Sequence, residues 1–455
     1  MTTLVCEVAV LGGGPAGSAA AKVLCDLGHN VILVERDEVK RSHIGEAFVP
    51  SISRAFDVLD LPLNLLEQAT LRPQGVDLAW AQKSCQFRSF GDQPGYIVDR
   101  QKFDQQLLQV ARAQGAQIIM GCRASKPILI DNYWSIELRH TKFTHLTAQY
   151  VVDATGKYSA VSGNRVLDNK ATVAVYFYGT QQSDSCSLSH SIVASFAHGW
   201  LWHAPLPDQQ TVTAVFLARE MIAGASKVQR LQLLTEALST IGVEPPVEAQ
   251  LQVCDASPSH APVWLMPGLV RVGEASHAID PLSSQGVQTA LMSAWRGAVC
   301  LHNVMVKPSC AKLAHNFMYN HQQATVQTHV KTAGKHYNEA AGYYHGEFWQ
   351  GRGVLETVAV RPEPDQRLRM SKLLSRVDVP VLENLSLEVR PGIQHPNLFE
   401  PAVLLGDQRV DDVLACLIPG LSAKENFVQL VNRFGAQFAD GAFQWLCENA
   451  IVEFD

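Results

Sequence analysis

The chain opens with a glycine turn between an apolar segment and an alanine-rich segment, and this arrangement constrains the fold more than any other feature. Residues 5–11 are short enough for a buried strand, and residues 18–27 carry the pattern of a helix packed on it. Gly12 permits a tight turn, Gly14 lets a pyrophosphate approach the helix N-terminus, and Gly17 lets helix and strand pack closely. The turn therefore predicts a bound dinucleotide.

An acidic residue at the end of the next predicted strand supports this interpretation. Glu35 follows the apolar run 31–34 and is placed to accept hydrogen bonds from a ribose. A glycine triplet alone is weak evidence, whereas strand, turn, helix and acid in this order are specific. The cofactor contacts expected from this part of the chain are Gly12, Gly14, Pro15, Ala16, Gly17, Glu35 and Arg36.

A segment in the middle of the chain distinguishes FAD from NAD, which both use such an opening. Residues 269–274 read as a strand ending in Gly-Glu, and Asp280-Pro281 precedes an alanine-rich helical stretch. This resembles the second FAD motif of aromatic hydroxylase-type flavoproteins, in which an acid binds the ribityl chain and the Asp-Pro turn lies along the isoalloxazine ring. Glu274 stands where the family usually has Asp. The resemblance implies FAD contacts at Gly273, Glu274, Asp280, Gln285, Gly286 and Val287.

Two further segments agree with an FAD-binding fold of this family. Residues 97–107 resemble its Arg-x-x-Phe-Asp-x-x-Leu helix start, which implies that Arg100 points to the cofactor, and Asp99 is a predicted N-cap. Residues 150–156 resemble the strand and glycine turn that return the chain to the sheet beside FAD, at Gly156. Ala124 completes the set of cofactor contacts expected from the resemblance.

Length and composition fit a large cytoplasmic protein. The 455 residues, 47% of them hydrophobic, are enough for two or three domains, and the net charge of −6 argues against a nucleic-acid surface. Ten scattered cysteines without a Cys-x-x-Cys pair fit reduced thiols. The histidines after residue 301 lack metal-ligand spacing, so we expect no metal, and no apolar stretch is long enough for a transmembrane segment.

We expect an α/β fold with three parts. A discontinuous, Rossmann-like FAD-binding domain covers 1–165 and 251–303, and an inserted antiparallel β-sheet substrate domain covers 166–250. Its predicted strands are 172–178, 191–196 and 211–217. Residues 304–455 form a mainly helical C-terminal region, which is a partner-binding module, a lid or a packing appendage.

The segment 198–207 carries Trp200 and Trp202 in a pattern that resembles the Trp-x-Trp-x-x-Pro signature of flavin-dependent tryptophan halogenases. The simpler interpretation is two core tryptophans on one strand face. The resemblance implies that both lie between flavin and substrate, where they exclude water and shape an aromatic pocket. Residues 44–47 resemble the family's Gly-Glu-Ala turn beside FAD, which brings Glu46 to the site.

One departure from the halogenases concerns their pocket lysine. The matching stretch, 71–80, contains no lysine; Arg72 lies nearest to the position, and Lys83 lies beyond Trp80. A guanidinium stays protonated and is not easily converted to a haloamine. The sequence therefore disfavours halogenation.

Oxygen insertion is the function that we expect instead, through a flavin C4a-hydroperoxide. The chain resembles the halogenase-related monooxygenases that mature quinone cofactors of amine dehydrogenases and oxidases, which implies a Trp or Tyr residue of a partner polypeptide as substrate. Glu46 and His203 are candidate acid/base groups, Trp200 and Trp202 shape the pocket, and Pro281 lies by the ring.

Three alternatives differ in kind. One is a flavin-dependent halogenase of an indole or phenol, the second a geranylgeranyl-reductase-like FAD oxidoreductase, and the third a non-enzymatic FAD protein that binds a partner. The chain has no second glycine motif for NAD(P)H. Electrons for O2 reduction therefore come either from a separate flavin reductase or from NAD(P)H that docks transiently.

Overall fold

The chain folds into two compact units. The computed structural model describes residues 3–38, 47–67, 71–82, 84–159, 161, 163–180, 190–206, 210–244, 250–354 and 362–455. The first unit comprises Met1–His302 and His329–Val354, and the second comprises Asn303–Thr328 and Leu355–Asp455. Among the described helices, none combines the length and apolarity needed to cross a membrane.

The described part of the chain contains both helices and strands. In chain order the helices are α1 (Pro15–Asp26), α2 (Ile52–Leu59), α3 (Asn64–Glu67), α4 (Arg100–Ala113), α5 (Arg219–Ala223), α6 (Lys227–Ser239), α7 (Gly286–Val306), α8 (Ala311–Tyr343), α9 (Val410–Ala415), α10 (Ala423–Phe434) and α11 (Ala436–Glu448). The strands are β1 (Thr3–Leu11), β2 (Val31–Val34), β3 (Ala47–Phe48), β4 (Gly75–Ala79), β5 (Gln86–Ser89), β6 (Tyr96–Ile97), β7 (Gln117–Ile119), β8 (Arg123–Ala124), β9 (Ile128–Ile130), β10 (Tyr133–Arg139), β11 (His145–Asp153), β12 (Val166–Leu167), β13 (Thr172–Thr180), β14 (Ser191–Phe196), β15 (Gly199–Pro205), β16 (Gln210–Ala218), β17 (Gln252–Asp255), β18 (Ser259–His260), β19 (Leu265–Met266), β20 (Leu269–Arg271), β21 (His277–Ala278), β22 (Leu368–Met370), β23 (Ser375–Glu383), β24 (Ser386–Gln394), β25 (Leu404–Leu405), β26 (Gln408–Arg409) and β27 (Val452–Phe454).

A nine-stranded sheet forms the frame of the predicted dinucleotide fold. Its main order is β19-β20-β11-β1-β2-β7, and β1 pairs in parallel with both β11 and β2. Nearly all of β1 after Cys6 and all of β2 are buried, because helices cover a parallel sheet on both faces. The predicted strand, glycine turn and helix at the start of the chain are confirmed, as is the strand before Gly156. The Rossmann-like α/β fold is therefore confirmed.

A second sheet of seven strands has the order β17-β13-β16-β15-β14-β4-β5. All its pairings are antiparallel except β14 with β4. The three strands predicted between 172 and 217 are confirmed, and β15 carries the two tryptophans. β4, β5 and β17 also join this sheet although they lie outside the range 166–250. β5 is short and wholly exposed, so its sequence carries no apolar alternation that predicts a strand.

The second unit contains helices and a β-hairpin. The predicted short helices and the final strand are confirmed as α9, α10, α11 and β27, and they surround an apolar core that includes Leu430 and Leu446. The region is mainly helical, as expected. The hairpin of β23 and β24 was not predicted, because Pro380 and Pro391 interrupt the two strands and proline argues against a strand.

Candidate active site

The glycine turn after β1 has the close packing that the sequence predicts. Gly12 has φ +99°, a backbone conformation that L side chains rarely adopt, and a Cβ there would overlap the carbonyl of Ala154. A Cβ on Gly17 would overlap the carbonyl of Gly12. These two glycines therefore let the first turn of α1 lie directly against the ends of β1 and β11.

The N-terminus of α1 has room for a ligand. Gly14 is the N-cap and Pro15 is the first helical residue. Apart from its chain neighbours, no atom of the described residues lies within 4 Å of a Cβ built on Gly14. The first turn of α1 holds no acidic side chain, and the N–H groups and dipole of a helix N-terminus attract anions. This cradle fits a pyrophosphate group.

Glu35 braces the same turn. Its Oε2 accepts a hydrogen bond from the N–H of Gly13 at 2.6 Å, and its Oε1 accepts one from the N–H of Asp37 at 3.0 Å. The residue is buried, and a carboxylate is an acceptor of the kind that a ribose hydroxyl requires. The neighbouring Arg36 is mostly exposed, with its Nε 3.6 Å from the Asp37 carboxylate.

The second predicted motif meets the first. A Cβ on Gly273, which has φ +57°, would lie only 2.6 Å from the Cβ of Ala16. Glu274 next to it exposes its side chain, while its carbonyl accepts a hydrogen bond from Arg165 at 2.9 Å. The two motifs, more than 250 positions apart in sequence, thus form one site suited to an extended dinucleotide.

Three other expected cofactor contacts lie on elements around this frame. Gly156 follows β11 with φ +78° and open space around it. Ala124 on β8 lies two residues after Cys122, whose N–H donates to the Glu35 carbonyl at 2.9 Å. Arg100 begins α4, which Asp99 caps as predicted, and its guanidinium forms two 3.0 Å hydrogen bonds with buried Asp104. Their contacts with FAD remain predictions.

The Asp-Pro turn is held by both its own backbone and helix α8. Asp280 accepts a hydrogen bond from the N–H of Leu282 at 3.1 Å and another from the hydroxyl of Tyr337 at 2.8 Å. Burial raises the pKa of the Asp280 carboxyl, although both hydrogen bonds oppose this effect. Pro281 starts the short turn that leads through Gln285 to helix α7.

Helix α7 begins at this turn with an exposed glycine followed by a buried valine. In the described part of the chain, no atom beyond the neighbouring residues lies within 4 Å of a Cβ built on Gly286, and Val287 is buried. An open helix N-terminus beside a buried carboxyl is compatible with a flavin ring lying along the turn.

One face of the seven-stranded sheet is aromatic and faces this turn. Trp200 and Trp202 belong to a cluster with Tyr337 and Trp349, and Leu282 of the Asp-Pro turn packs against it. Trp80 joins with its ring centroid 6.4 Å from that of Trp200. We call this cluster the aromatic face. The two tryptophans are buried, as a core interpretation requires, and they also adjoin the predicted flavin turn.

The structure does not bring His203 to this face. Side chains alternate along β15, so Trp200 and Trp202 point to the aromatic face, whereas Leu201 packs in the cluster on the other side with α6. His203 lies on the side of Leu201, with its Nδ1 2.8 Å from the Thr213 hydroxyl. Burial lowers the pKa of His203 to about 4. The acid/base role expected for His203 beside the flavin stays a prediction, and its place on the side of Leu201 argues against it.

Glu46 and Lys83, which the sequence analysis names, lie outside the described residues. Arg72 is exposed, with its guanidinium carbon 5.3 Å from the ring centroid of Tyr96. Within the described ranges, no group of three or more His, Cys, Asp or Glu side chains is arranged to hold a metal ion.

The sequence analysis missed the contribution of the segment 333–352. Tyr337 and Ala340 of α8 line the aromatic face, followed by Trp349. Arg352 is also buried, with its guanidinium 4.2 Å above the ring of Phe348. The available signal was the spacing of Ala333, Tyr337 and Ala340, which places apolar side chains on one side of an otherwise polar helix.

The sequence of this chain is similar to those of known flavin-dependent enzymes. The sequence matches the tryptophan halogenase family over residues 7–93 and 91–370. The FAD-dependent oxidoreductase LodB of Marinomonas mediterranea is 27% identical over 370 residues, which are 77% of this chain and 98% of LodB. A tryptophan 2-halogenase of Chondromyces crocatus is 24% identical over 326 residues, 66% of this chain and 61% of that protein.

Two solved structures have the same fold over nearly the whole chain. The flavin-dependent halogenase CmlS superposes with a TM-score of 0.84 at 19% identity, covering 100% of this chain and 96% of its own. The peptidyl tryptophan dihydroxylase QhpG, essential for tryptophylquinone cofactor biogenesis, has a TM-score of 0.74 at 21% identity and coverages of 98% and 99%.

Proposed function

The chain belongs to the tryptophan halogenase family, and from this premise we propose that it is an FAD-dependent monooxygenase that hydroxylates a tryptophan or tyrosine residue within a partner polypeptide. FAD is its cofactor, with O2 and reduced flavin as the co-reactants that such enzymes use. The chain is therefore an FAD-dependent oxidoreductase that modifies aromatic compounds. Hydroxylation and the peptide substrate are the proposed parts.

The observation that carries the proposal is the contact between the aromatic face and the Asp-Pro turn. Leu282 packs against the cluster of Trp200 and Trp202, so an aromatic wall adjoins the position expected for the flavin ring. The stretch 71–80, part of which forms β4 in the same sheet, contains no lysine. This composition supports the transfer of oxygen without a haloamine.

The chain's own residues have three tasks in this reaction. The α1 N-terminus at Gly14 binds the pyrophosphate, Glu35 binds the ribose, and Glu274 binds the ribityl chain. Bound flavin supplies an electrophilic oxygen derived from O2. Trp200 and Trp202 exclude water and orient the substrate ring, and we assign proton transfer to Glu46.

One relative supports a polypeptide as substrate. QhpG is by name a peptidyl tryptophan dihydroxylase in tryptophylquinone biogenesis, and its structure superposes on 98% of this chain. LodB, by name an FAD-dependent oxidoreductase, supports the redox class: 98% of it aligns with 77% of this chain. We propose a similar role in quinone-cofactor maturation, with electrons from a separate flavin reductase.

A flavin-dependent halogenase of an indole or phenol is the second candidate. The TM-score of 0.84 to CmlS over the full chain favours it. The missing lysine in 71–80 argues against it.

One experiment separates the two candidates. The FAD-loaded protein is supplied with reduced flavin, O2 and bromide, and is offered tryptophan, tyrosine and peptides that contain them. We expect a mass increase of the peptide from inserted oxygen and less product from the free amino acids. A bromine isotope pair in the product would assign the halogenase, and unmodified substrate throughout would refute both.

A further inference from the structure

A buried tyrosine on α8 donates a hydrogen bond to the Asp-Pro turn. The hydroxyl of Tyr337 donates to Oδ2 of Asp280 at 2.8 Å, although the two residues lie 57 positions apart. Tyr337 is 1% exposed and Asp280 is 5% exposed. Water therefore cannot replace this hydrogen bond, and the carboxylate depends on protein donors.

Asp280 also interacts with the backbone of its own turn and with the charge of Arg352. The other carboxylate oxygen accepts the N–H of Leu282, which belongs to the turn itself. The buried guanidinium of Arg352 adds a favourable charge interaction, but its own hydrogen bonds go to Lys170, Ala171 and Thr172. Tyr337 is thus the side chain that the described structure shows donating a hydrogen bond to Asp280.

Such a bond has consequences beyond packing. A buried carboxylate costs much free energy unless hydrogen bonds compensate for the lost water. Without the Tyr337 hydroxyl, Asp280 would take up a proton or rotate, and either change removes a fixed negative charge at the turn. A negative charge next to a flavin ring disfavours the electron-rich reduced form.

We propose that Tyr337 is a positioning residue, which holds the Asp280 carboxylate at the Asp-Pro turn and so sets the reduction potential of bound FAD. The inference rests on the proposed function in one respect, because it takes the flavin ring to lie along this turn. It adds a residue from the polar helix α8 to the flavin environment. Tyr337 acts on the flavin through Asp280.

The test is the midpoint potential of FAD in the reconstituted protein without substrate. For Tyr337→Phe we expect a positive shift that corresponds to a change of about tenfold in the equilibrium between oxidised and reduced FAD, or about 30 mV for two electrons. Tyr344→Phe is the matched control: this hydroxyl donates to the Ser195 carbonyl at 2.8 Å, also beside the aromatic face, and has no bond to Asp280. The control should keep the wild-type potential.

Asp280→Asn tests the same inference independently of how Tyr337→Phe folds. It should shift the potential in the same direction, and adding Tyr337→Phe to it should change nothing more, because the bond acts through the carboxylate. The inference would be overturned if Tyr337→Phe or Asp280→Asn left the midpoint potential unchanged. It would also be overturned if Tyr337→Phe and Tyr344→Phe shifted the potential equally.

The outcomes also separate this inference from the proposed function. Wild-type protein that binds no FAD would refute both. The expected shifts, combined with no oxygen insertion into any substrate, would refute the monooxygenase alone. Normal oxygen insertion with unchanged potentials would refute the role of Tyr337 alone.

Discussion

Trp200 stacks face to face on Phe216, with ring centroids 3.8 Å apart and planes inclined by 11°. The two residues are direct cross-strand partners on β15 and β16, so the register of the sheet fixes the stack. Trp202 is the next residue of β15 on the same side. Trp202 therefore extends the aromatic face beside a stack that is held by the strand register. We expect a substitution of Trp202 to alter the pocket without moving that register.

Trp202→Ala should uncouple flavin oxidation from product formation. Removal of the indole opens the aromatic face, admits water to the reaction and loosens the substrate ring, so peroxide release per turnover should rise several-fold. The measurement is the ratio of peroxide to hydroxylated product. The core change should also cost about 3–5 kcal/mol of stability.

Trp134→Ala provides the control for that stability loss. Trp134 is 7% exposed, as is Trp202, but it lies in the core of the nine-stranded sheet. Its loss should destabilise the protein to a similar extent and leave the coupling unchanged. If both variants release the same excess of peroxide, Trp202 is an ordinary core residue.

Gly14→Val should abolish FAD binding while leaving the fold intact. Among the residues that the structure describes, none outside the immediate chain neighbours comes within 4 Å of a Cβ at this position, so the new side chain enters the space assigned to the pyrophosphate. The purified variant should be colourless, with unfolding by urea close to that of the wild-type apoprotein. Gly441→Val, in equally open space on α11, should purify yellow. A yellow Gly14→Val protein would falsify the assigned cradle.

In contrast to Gly14→Val, Gly17→Ala should lower the stability of the folded protein. Its Cβ would overlap the Gly12 carbonyl, a backbone atom that cannot move without displacing the turn. Overpacking of this kind costs about 1–3 kcal/mol or more. Urea denaturation of the apoprotein measures it. Equal stability of Gly17→Ala and wild type would show that α1 can shift away from β1 at little cost.

The sequence predicted those parts of the site that are built from local segments. The strand, glycine turn and helix up to Gly17 are contiguous, and each glycine has its own steric reason, so the pattern carries the structure. Its meeting with Gly273 followed from the resemblance to a known FAD motif. Tyr337 could not be found in this way, because its partner Asp280 is distant in sequence and α8 is largely polar.

His203 shows a different limit. The residue was grouped with Trp200 and Trp202 because they are neighbours in sequence, although an odd separation along a strand places side chains on opposite faces. The correct face was available from this alternation once β15 was taken as a strand. The burial that removes His203 from solvent depended on α5 and α6, which only the folded structure brings against that face.

His203→Gln should change stability at acid pH and leave the pH dependence of catalysis as it is. The folded protein holds His203 with a pKa of about 4, against 6.5 in the unfolded chain, so the unfolded state binds the extra proton between these values. The stabilisation is present above pH 6.5 and is lost as the pH falls toward 4, by about 3 kcal/mol at most. The measurement is the free energy of unfolding of both proteins at pH 7, 5.5 and 4. We expect the stability advantage of wild type over the Gln variant, which can keep the bond to Thr213, to shrink on acidification.

The same variant tests the catalytic role. Since the imidazole lies on the side of Leu201, the pH–rate profiles of the two proteins should coincide. Loss of one limb of the profile in the Gln variant would return His203 to the catalytic groups.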